Sequence, residues 1–222
     1  MATVESRSPI SPSPLISLEL RWFLDGKFPP TLDKWFRESL PGSEISPVDE
    51  RDDIYLSQSR IDDFGIKLRQ GKLEIKWREF ARPYKGAHGM AGHVERWLKW
   101  GWEDPKGPGP SDISAFAIPR GPWITVAKER RQRKYRWDNF KFVPAPAEDI
   151  LDFGAAVELT AIELHRRSHS TVLVETFAPD QKMQEKLLDA AVDYLFRDFP
   201  KPRPGPARSY GYPHWLGKFG AT

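Results

Sequence analysis

Charged side chains alternate with apolar ones along residues 64–80, FGIKLRQGKLEIKWREF. Because successive side chains of a strand point to opposite faces, this alternation predicts a β-hairpin with one apolar and one mostly basic face. The basic face carries Lys67, Arg69, Glu74, Lys76 and Arg78. Arginine and lysine pair readily with phosphate oxygens, so this face could bind an anion. The alternative is an ordinary solvated face of a half-buried sheet.

The Gln70-Gly71 pair is the predicted turn of this hairpin. A two-residue turn sets Leu68 opposite Leu73, and it sets Lys67 opposite Glu74 on the other face. Both halves agree on this register, and a slip by one residue would exchange the two faces.

Further segments of the chain predict strands of the same kind: Leu15–Leu24, Asp53–Ser59, His93–Glu103, Trp123–Trp137, Ala155–Leu164 and Ser170–Ala178. Opposite their apolar faces stand Glu19, Arg21, Glu95, Lys99, Lys128, Arg130 and Glu158, with either Glu163 or Glu175. In Trp123–Trp137, Ile124 and Val126 share a face with Lys128 and Arg130, so we expect this strand to twist or bulge midway.

Helical spacing of apolar residues predicts two helices, Thr31–Leu40 and Asp180–Phe199. Pro144–Phe153 is expected to be a loop with at most one helical turn. About eight strands with few parallel crossovers predict a mainly antiparallel α+β fold, whose sheet closes, or nearly closes, into a barrel.

We expect residues 15–199 to form one domain. The Ser/Pro-rich residues 1–14 are expected to be a disordered leader, and the aromatic tail 200–222 to dock on the domain.

Composition excludes several classes of function. The 222 residues include no Cys, which excludes disulfides, thiolate zinc sites and thiol nucleophiles. The five His residues lack metal-binding spacing, and neither a Gly-rich phosphate loop nor a Ser-centred elbow is present. Lys plus Arg exceeds Asp plus Glu by only 3, so a bulk polyanion binder is not indicated. Because no segment has the character of a membrane span or signal peptide, we expect a cytoplasmic protein with no membrane partner.

The charged faces have two possible placements. If they point into a closed barrel, they form a tunnel walled by cations and a few carboxylates, which is costly without a partner. A polyphosphate is a suitable partner, with carboxylates holding a bridging Mg²⁺ or Mn²⁺. If the apolar faces instead fill the interior, the charges meet solvent.

Several motifs resemble those of the CYTH superfamily, the triphosphate tunnel metalloenzymes. Ser17-Leu18-Glu19-Leu20-Arg21 is similar to the family's first-strand Glu-x-Glu-x-Lys, with Ser17 in place of the first Glu. The segments that match later strands are DIYL at 53–56, GIKLRQGKLEIKWR at 65–78, VAKER at 126–130 and VLVET at 172–176. In the last of these Glu175 is present, whereas Leu173 stands where members carry a carboxylate.

The resemblance implies an eight-stranded antiparallel tunnel, open at both ends, that binds a triphosphate and hydrolyses it with Mg²⁺ or Mn²⁺. It implies catalytic and metal-binding roles for Glu19 and Glu175, and the charged strand faces add Glu158, with Glu95 as the alternative, as a further metal ligand. The phosphate-binding side chains that it implies are Arg21, Arg69, Lys76, Lys128 and Arg130, and the charged strand faces add Lys67 and Arg78.

Two other functions remain open from the sequence. The carboxylates missing at Ser17 and Leu173 favour a non-catalytic barrel that binds an organic anion or a protein partner without a divalent metal. The basic residues 128–136, interleaved with Tyr135 and followed by Trp137, would suit single-stranded nucleic acid on the outer surface, which is the less favoured alternative. A small-molecule polyphosphate or organophosphate is the expected partner.

Overall fold

The structure is a computed structural model that describes residues 13–42, 46–57, 61–103 and 122–220. Most of the expected leader and the end of the predicted strand Asp53–Ser59 lie outside these residues. The strands are β1 Leu15–Asp25, β2 Asp49–Leu56, β3 Phe64–Arg69, β4 Lys72–Lys85, β5 Ala91–Glu103, β6 Trp123–Asp138, β7 Lys141–Ala145, β8 Gly154–Leu164 and β9 Arg167–Phe177. The helices are α1 Pro30–Lys34, which continues as a π-helical turn Trp35–Ser39, α2 Gln181–Leu195 and α3 Tyr212–Phe219.

Eight of the strands form a closed antiparallel barrel in the order β2-β3-β4-β5-β1-β9-β8-β6, and β6 pairs back to β2. This confirms the predicted α+β barrel. The ninth strand, β7, pairs with β6 beside the ring and was not predicted. No helix among the described residues is long and apolar enough to cross a membrane.

The β3–β4 hairpin has the predicted register. Leu68 pairs with Leu73 and Lys67 with Glu74. The turn residues Gln70 and Gly71 have φ angles of 48° and 80°, as a two-residue hairpin turn requires. Beyond the predicted hairpin, β4 continues to Lys85, with a register shift between Arg78 and Phe80.

The apolar faces of the strands point outward, where helices α1 and α2 cover part of the barrel. Leu18, Leu20 and Trp22 of β1 are fully buried in this outer core. Helix α2 supplies the facing layer, which includes Leu187, Leu188, Ala191, Val192 and Leu195. Asp180 caps α2, because its side chain accepts a hydrogen bond from the Met183 amide at 2.8 Å. The opposite faces of the strands therefore point into the barrel.

Helix α3 fills one end of the barrel. Its Trp215 is fully buried against inward-facing apolar side chains, among them Phe23, Val126 and Ile162. The open-ended tunnel implied by the family resemblance is therefore wrong at this end, since a helix from the tail occupies it.

Helix α3 also explains the mixed face of β6. The pairing of β6 with β2 and β8 runs without a register shift, so of the predicted twist or bulge the bulge is absent along these pairs. Val126 lies in the apolar cluster under α3, whereas Lys128 lies further along the same inward face. The inward face changes from apolar to charged because the apolar cluster under α3 ends there.

Candidate functional site

A cavity of about 630 Å³ lies inside the barrel. Nine cationic side chains line it: Arg21, Arg51, Lys67, Arg69, Lys72, Lys76, Lys99, Lys128 and Arg130. Four carboxylates line it as well: Glu19, Glu74, Glu158 and Glu175. Each strand of the ring supplies at least one of these groups through its inward face, so the closure of the sheet creates the site.

The first group of charges, the Glu19 cluster, comprises Glu19, Arg21, Lys76, Lys99 and Glu175. The Nζ atoms of Lys76 and Lys99 lie 2.5 and 3.1 Å from Glu19 Oε1. Arg21 lies 3.8 Å from Glu19 Oε2, and Lys99 also pairs with Glu175. Burial alone would raise the pKa of Glu19, but Lys76, Lys99 and Arg21 outweigh it and hold that pKa well below its usual range.

Glu158 connects this cluster to β6. Its Oε1 lies 3.4 Å from the Arg21 guanidinium, and its Oε2 lies 3.6 Å from that of Arg130. The Thr160 hydroxyl donates a hydrogen bond to it at 2.8 Å. Although burial opposes the charged form, Arg21 and Arg130 lower the pKa of Glu158 to about 2. Glu158 is therefore ionised at neutral pH.

The second group, the Asp53 cluster, comprises Asp53, Tyr55, Lys67, Arg69 and Lys128. Asp53 has no exposed surface, and it accepts hydrogen bonds from Arg69 Nε at 2.8 Å and Lys128 Nζ at 2.9 Å. The Tyr55 hydroxyl donates to it at 3.1 Å. Burial raises the pKa of Asp53, but Lys128, Lys67 and Arg69 together bring it far below its usual range.

The lysines of the cavity differ in how firmly they hold their protons. Burial, reinforced by neighbouring Arg69, lowers the pKa of Lys67 to about 8. Burial also lowers the pKa of Lys76 to about 8, and it brings that of Lys128 well below the usual value. Burial likewise disfavours protonation of Lys99, but the adjacent Glu175 and Glu19 carboxylates raise its pKa. An added anion would favour the protonated form of each lysine.

The cavity floor is formed by Tyr212, Pro213 and Leu216 of α3. The Tyr212 ring stacks on Tyr55 with centroids 5.5 Å apart. Lys128 Nζ lies 3.7 Å from the centroid of the Tyr212 ring. Two buried polar atoms here, Arg21 Nε and the Tyr212 hydroxyl, have no hydrogen-bond partner within the described ranges. Neither atom has surface open to the cavity, and an unpaired buried donor costs about 1–3 kcal/mol.

Six of the seven predicted phosphate-binding side chains line the cavity, and Arg78 does not. Arg78 pairs at 2.6 Å with Glu95, which also accepts a hydrogen bond from the Trp97 indole at 3.0 Å. Both predicted catalytic carboxylates, Glu19 and Glu175, line the cavity. Of the two alternatives left open for the last strand pair, Glu163 is exposed and Glu175 points inward.

The predicted metal ligands Glu19, Glu158 and Glu175 all face the cavity, but cations already engage each of them. Within the described residues, no group of three or more His, Asp or Glu side chains is placed to hold a metal ion. The side-chain arrangement therefore does not fit a resident Mg²⁺ or Mn²⁺, and the cofactor stays a prediction.

Several site residues were missing from the predicted set. Lys99 lies on the same face of β5 as Glu95, so the alternation of that strand was sufficient to assign it to the site. Arg51 lies on β2, which begins at Asp49 and therefore before the predicted strand Asp53–Ser59. Tyr212 comes from the tail, where no sequence pattern indicates that it would reach the cavity.

A comparison with models of known protein families finds no match, and a search of curated proteins likewise finds none. The support for a function therefore comes from the cavity and its side chains.

Proposed function

We propose that the barrel binds a small-molecule polyphosphate or organophosphate anion in its cavity. The observation that carries this proposal is the excess of nine cationic side chains over four carboxylates in the cavity lining, and cations remain in excess when the paired Asp49 and Asp53 are counted as well. Buried charges are stable only with compensating partners. An anion of several charges would supply that compensation, and guanidinium and ammonium groups are suited to phosphate oxygens.

The two charge clusters suit an elongated anion. The Asp53 cluster lies on β2, β3 and β6, whereas the Glu19 cluster lies chiefly on β5, β1 and β9 across the ring. A chain of phosphates between them would contact cations on both walls. Arg21 and Tyr212, whose side chains also line the cavity, would lie beside it.

We further propose that the chain is a divergent member of the CYTH superfamily. The closed antiparallel ring and its inward-facing charges support this proposal. If this proposal is right, we predict that the protein hydrolyses a triphosphate. The cations would then stabilise the charge that develops on the phosphoryl oxygens.

Calorimetry with inorganic triphosphate tests the binding proposal. Arg130→Ala should weaken binding by about 10- to 100-fold, because a hydrogen bond to a charged group contributes about 1.5–3 kcal/mol. Lys182→Ala is the matched control, since Lys182 is exposed on α2 and outside the cavity. Unchanged affinity in Arg130→Ala would contradict the site. Phosphate release with Mg²⁺, with Mn²⁺ and with chelator tests hydrolysis separately.

The alternative of nucleic-acid binding on the outer surface receives little support. Tyr135 is fully buried in the outer core, so its ring cannot stack on a base. Arg133 is buried as well and donates hydrogen bonds to the carbonyls of Phe36, Arg37 and Gly42. The remaining alternative is a non-catalytic barrel that binds an organic anion or a protein partner. An organic anion without phosphate would use the same cavity, and competition with triphosphate would reveal it.

A further inference from the structure

Lys99 occupies the space between two carboxylates that face each other across neighbouring strands. Glu19 of β1 pairs directly with Glu175 of β9, and both side chains point into the cavity. From β5, the Lys99 ammonium lies 3.1 Å from Glu19 Oε1 and is also hydrogen-bonded to Glu175 Oε1. All three groups are largely withdrawn from solvent.

Two ionised carboxylates placed directly opposite each other in a sheet repel, so this pair needs a cation between them. Oxygen ligands of this kind commonly hold a hard divalent cation. Here an ammonium group with three N–H donors fills the position.

The remaining contacts of Glu19 leave little room for a metal ion. Its Oε1 also receives Lys76 at 2.5 Å and the Ser17 hydroxyl at 3.4 Å. Its Oε2 faces Arg21 at 3.8 Å. The carboxylate is therefore surrounded by cations and a donor.

We propose that Lys99 is a built-in counter-cation, which takes the place of a divalent metal between Glu19 and Glu175 and makes anion binding in the cavity independent of metal. The role of Lys99 as a counter-cation follows from its contacts with Glu19 and Glu175. Anion binding that is independent of metal rests, in addition, on the proposed function.

Removing the ammonium tests the proposal. Lys99→Met would remove the cation that bridges the two carboxylates, and we expect it to bind one Mn²⁺ at least about tenfold more tightly than the unchanged protein. Calorimetry with MnCl₂ alone, without any phosphate, measures this. Lys76→Met is the matched control, because it removes another ammonium from Glu19 but leaves Lys99 in place. The double variant Lys99→Met with Glu175→Gln should lose the gain.

Two results would overturn the proposal. One is a folded Lys99→Met protein with no gain in Mn²⁺ affinity. The other is an unchanged protein that binds Mn²⁺ as tightly as the variant and loses this binding in Glu175→Gln. If Lys99→Met does not fold, Lys99→Gln replaces it. Mn²⁺ should then raise the melting temperature of Lys99→Gln above that of the metal-free sample, and failure to do so would overturn the proposal.

Metal independence has its own measurement. The affinity of the unchanged protein for inorganic triphosphate should be the same within about twofold with chelator and with Mg²⁺, after correction for the Mg²⁺-bound fraction of the ligand. Strict dependence on Mg²⁺ would overturn this part of the proposal. Absence of any triphosphate binding would instead refute the proposed function, and the Mn²⁺ experiment would still decide the role of Lys99.

Discussion

At the scale of single residues, Asp53 is the group on which the cations of one cavity wall converge. It is fully buried and pairs with Arg69 and Lys128, and Lys67 lies 3.9 Å away. Asp53→Asn keeps the shape of the side chain but removes its charge. We expect a loss of about 3–5 kcal/mol in the free energy of unfolding, because buried cations are left uncompensated.

Urea denaturation measures this loss. Glu163→Gln is the control for loss of a carboxylate, since Glu163 is exposed on the outside of β8, and it should change stability by less than about 0.5 kcal/mol. Added triphosphate should restore part of the stability of Asp53→Asn, because it replaces the missing negative charge. Equal stabilities of the two variants would show that Asp53 does not compensate these cations.

The lowered pKa of Lys67 predicts how anion binding depends on pH. Its pKa of about 8 is lowered by burial and by Arg69, against the opposing effect of Asp53 and Glu74. The side chain is therefore cationic below pH 8 and loses its proton as the pH rises through that value. A bound anion favours the protonated form, so triphosphate affinity should fall between pH 7.5 and about 9.5, by about tenfold.

Calorimetry at a series of pH values checks this decrease. Lys67→Arg is the matched variant, because a guanidinium keeps its charge throughout the range. Its affinity should fall less steeply with pH. If both proteins lost affinity in parallel, the titration of Lys67 would not be the cause.

At the scale of elements, α3 determines that the cavity has a closed end. Trp215 has no exposed surface and stacks on Phe23 with ring centroids 5.4 Å apart. Trp215→Ala would leave a large void in the apolar cluster under α3. We expect it to lower the free energy of unfolding by about 3–5 kcal/mol. Ile150→Ala serves as the control, because Ile150 is 87% exposed and should tolerate truncation. Comparable stability of the two variants in urea would show that α3 contributes little to the fold.

The sequence predicts well those features that depend on neighbours along the chain. Alternation identified the inward face of the β3–β4 hairpin, and the Gln70-Gly71 turn identified its register. Both depend on residues a few positions apart, for which local sterics determine the geometry. Alternation alone left open whether that face points into the barrel, because both placements satisfy the same pattern.

Features that depend on distant contacts could not be predicted in this way. β7 contains Pro144, which argues against a strand. Within the described part of the chain, however, β7 pairs only with β6, so it tolerates the missing donor. Helix α3 has eight residues, and its place in the barrel depends on Phe23, Val126 and Ile162, which lie far away in sequence. Tyr212 therefore joins the site through packing, which no local pattern reports.

At the scale of the whole molecule, the closed sheet gathers cations on its inner face, although positive and negative charges nearly balance over the whole sequence. The formal net charge is only +3, yet cations clearly outnumber carboxylates around the cavity. Closure of the ring holds these cations close together, where self-repulsion opposes folding. A ligand that neutralises them should therefore stabilise the entire fold, and not a single loop or strand.

Thermal unfolding with inorganic triphosphate and chelator tests this expectation. At a ligand concentration of about 100 times Kd, binding to the folded state contributes about 2.7 kcal/mol. For a domain of this size, that corresponds to a rise of about 5–10 °C in the melting temperature. Arg130→Ala should show a smaller rise at the same concentration, since its affinity is lower. A single-stranded oligonucleotide should give little rise, because α3 closes one end of the barrel and a nucleic-acid strand cannot thread through it. A rise with the oligonucleotide but not with triphosphate would place the ligand on the outer surface and contradict the cavity as the binding site.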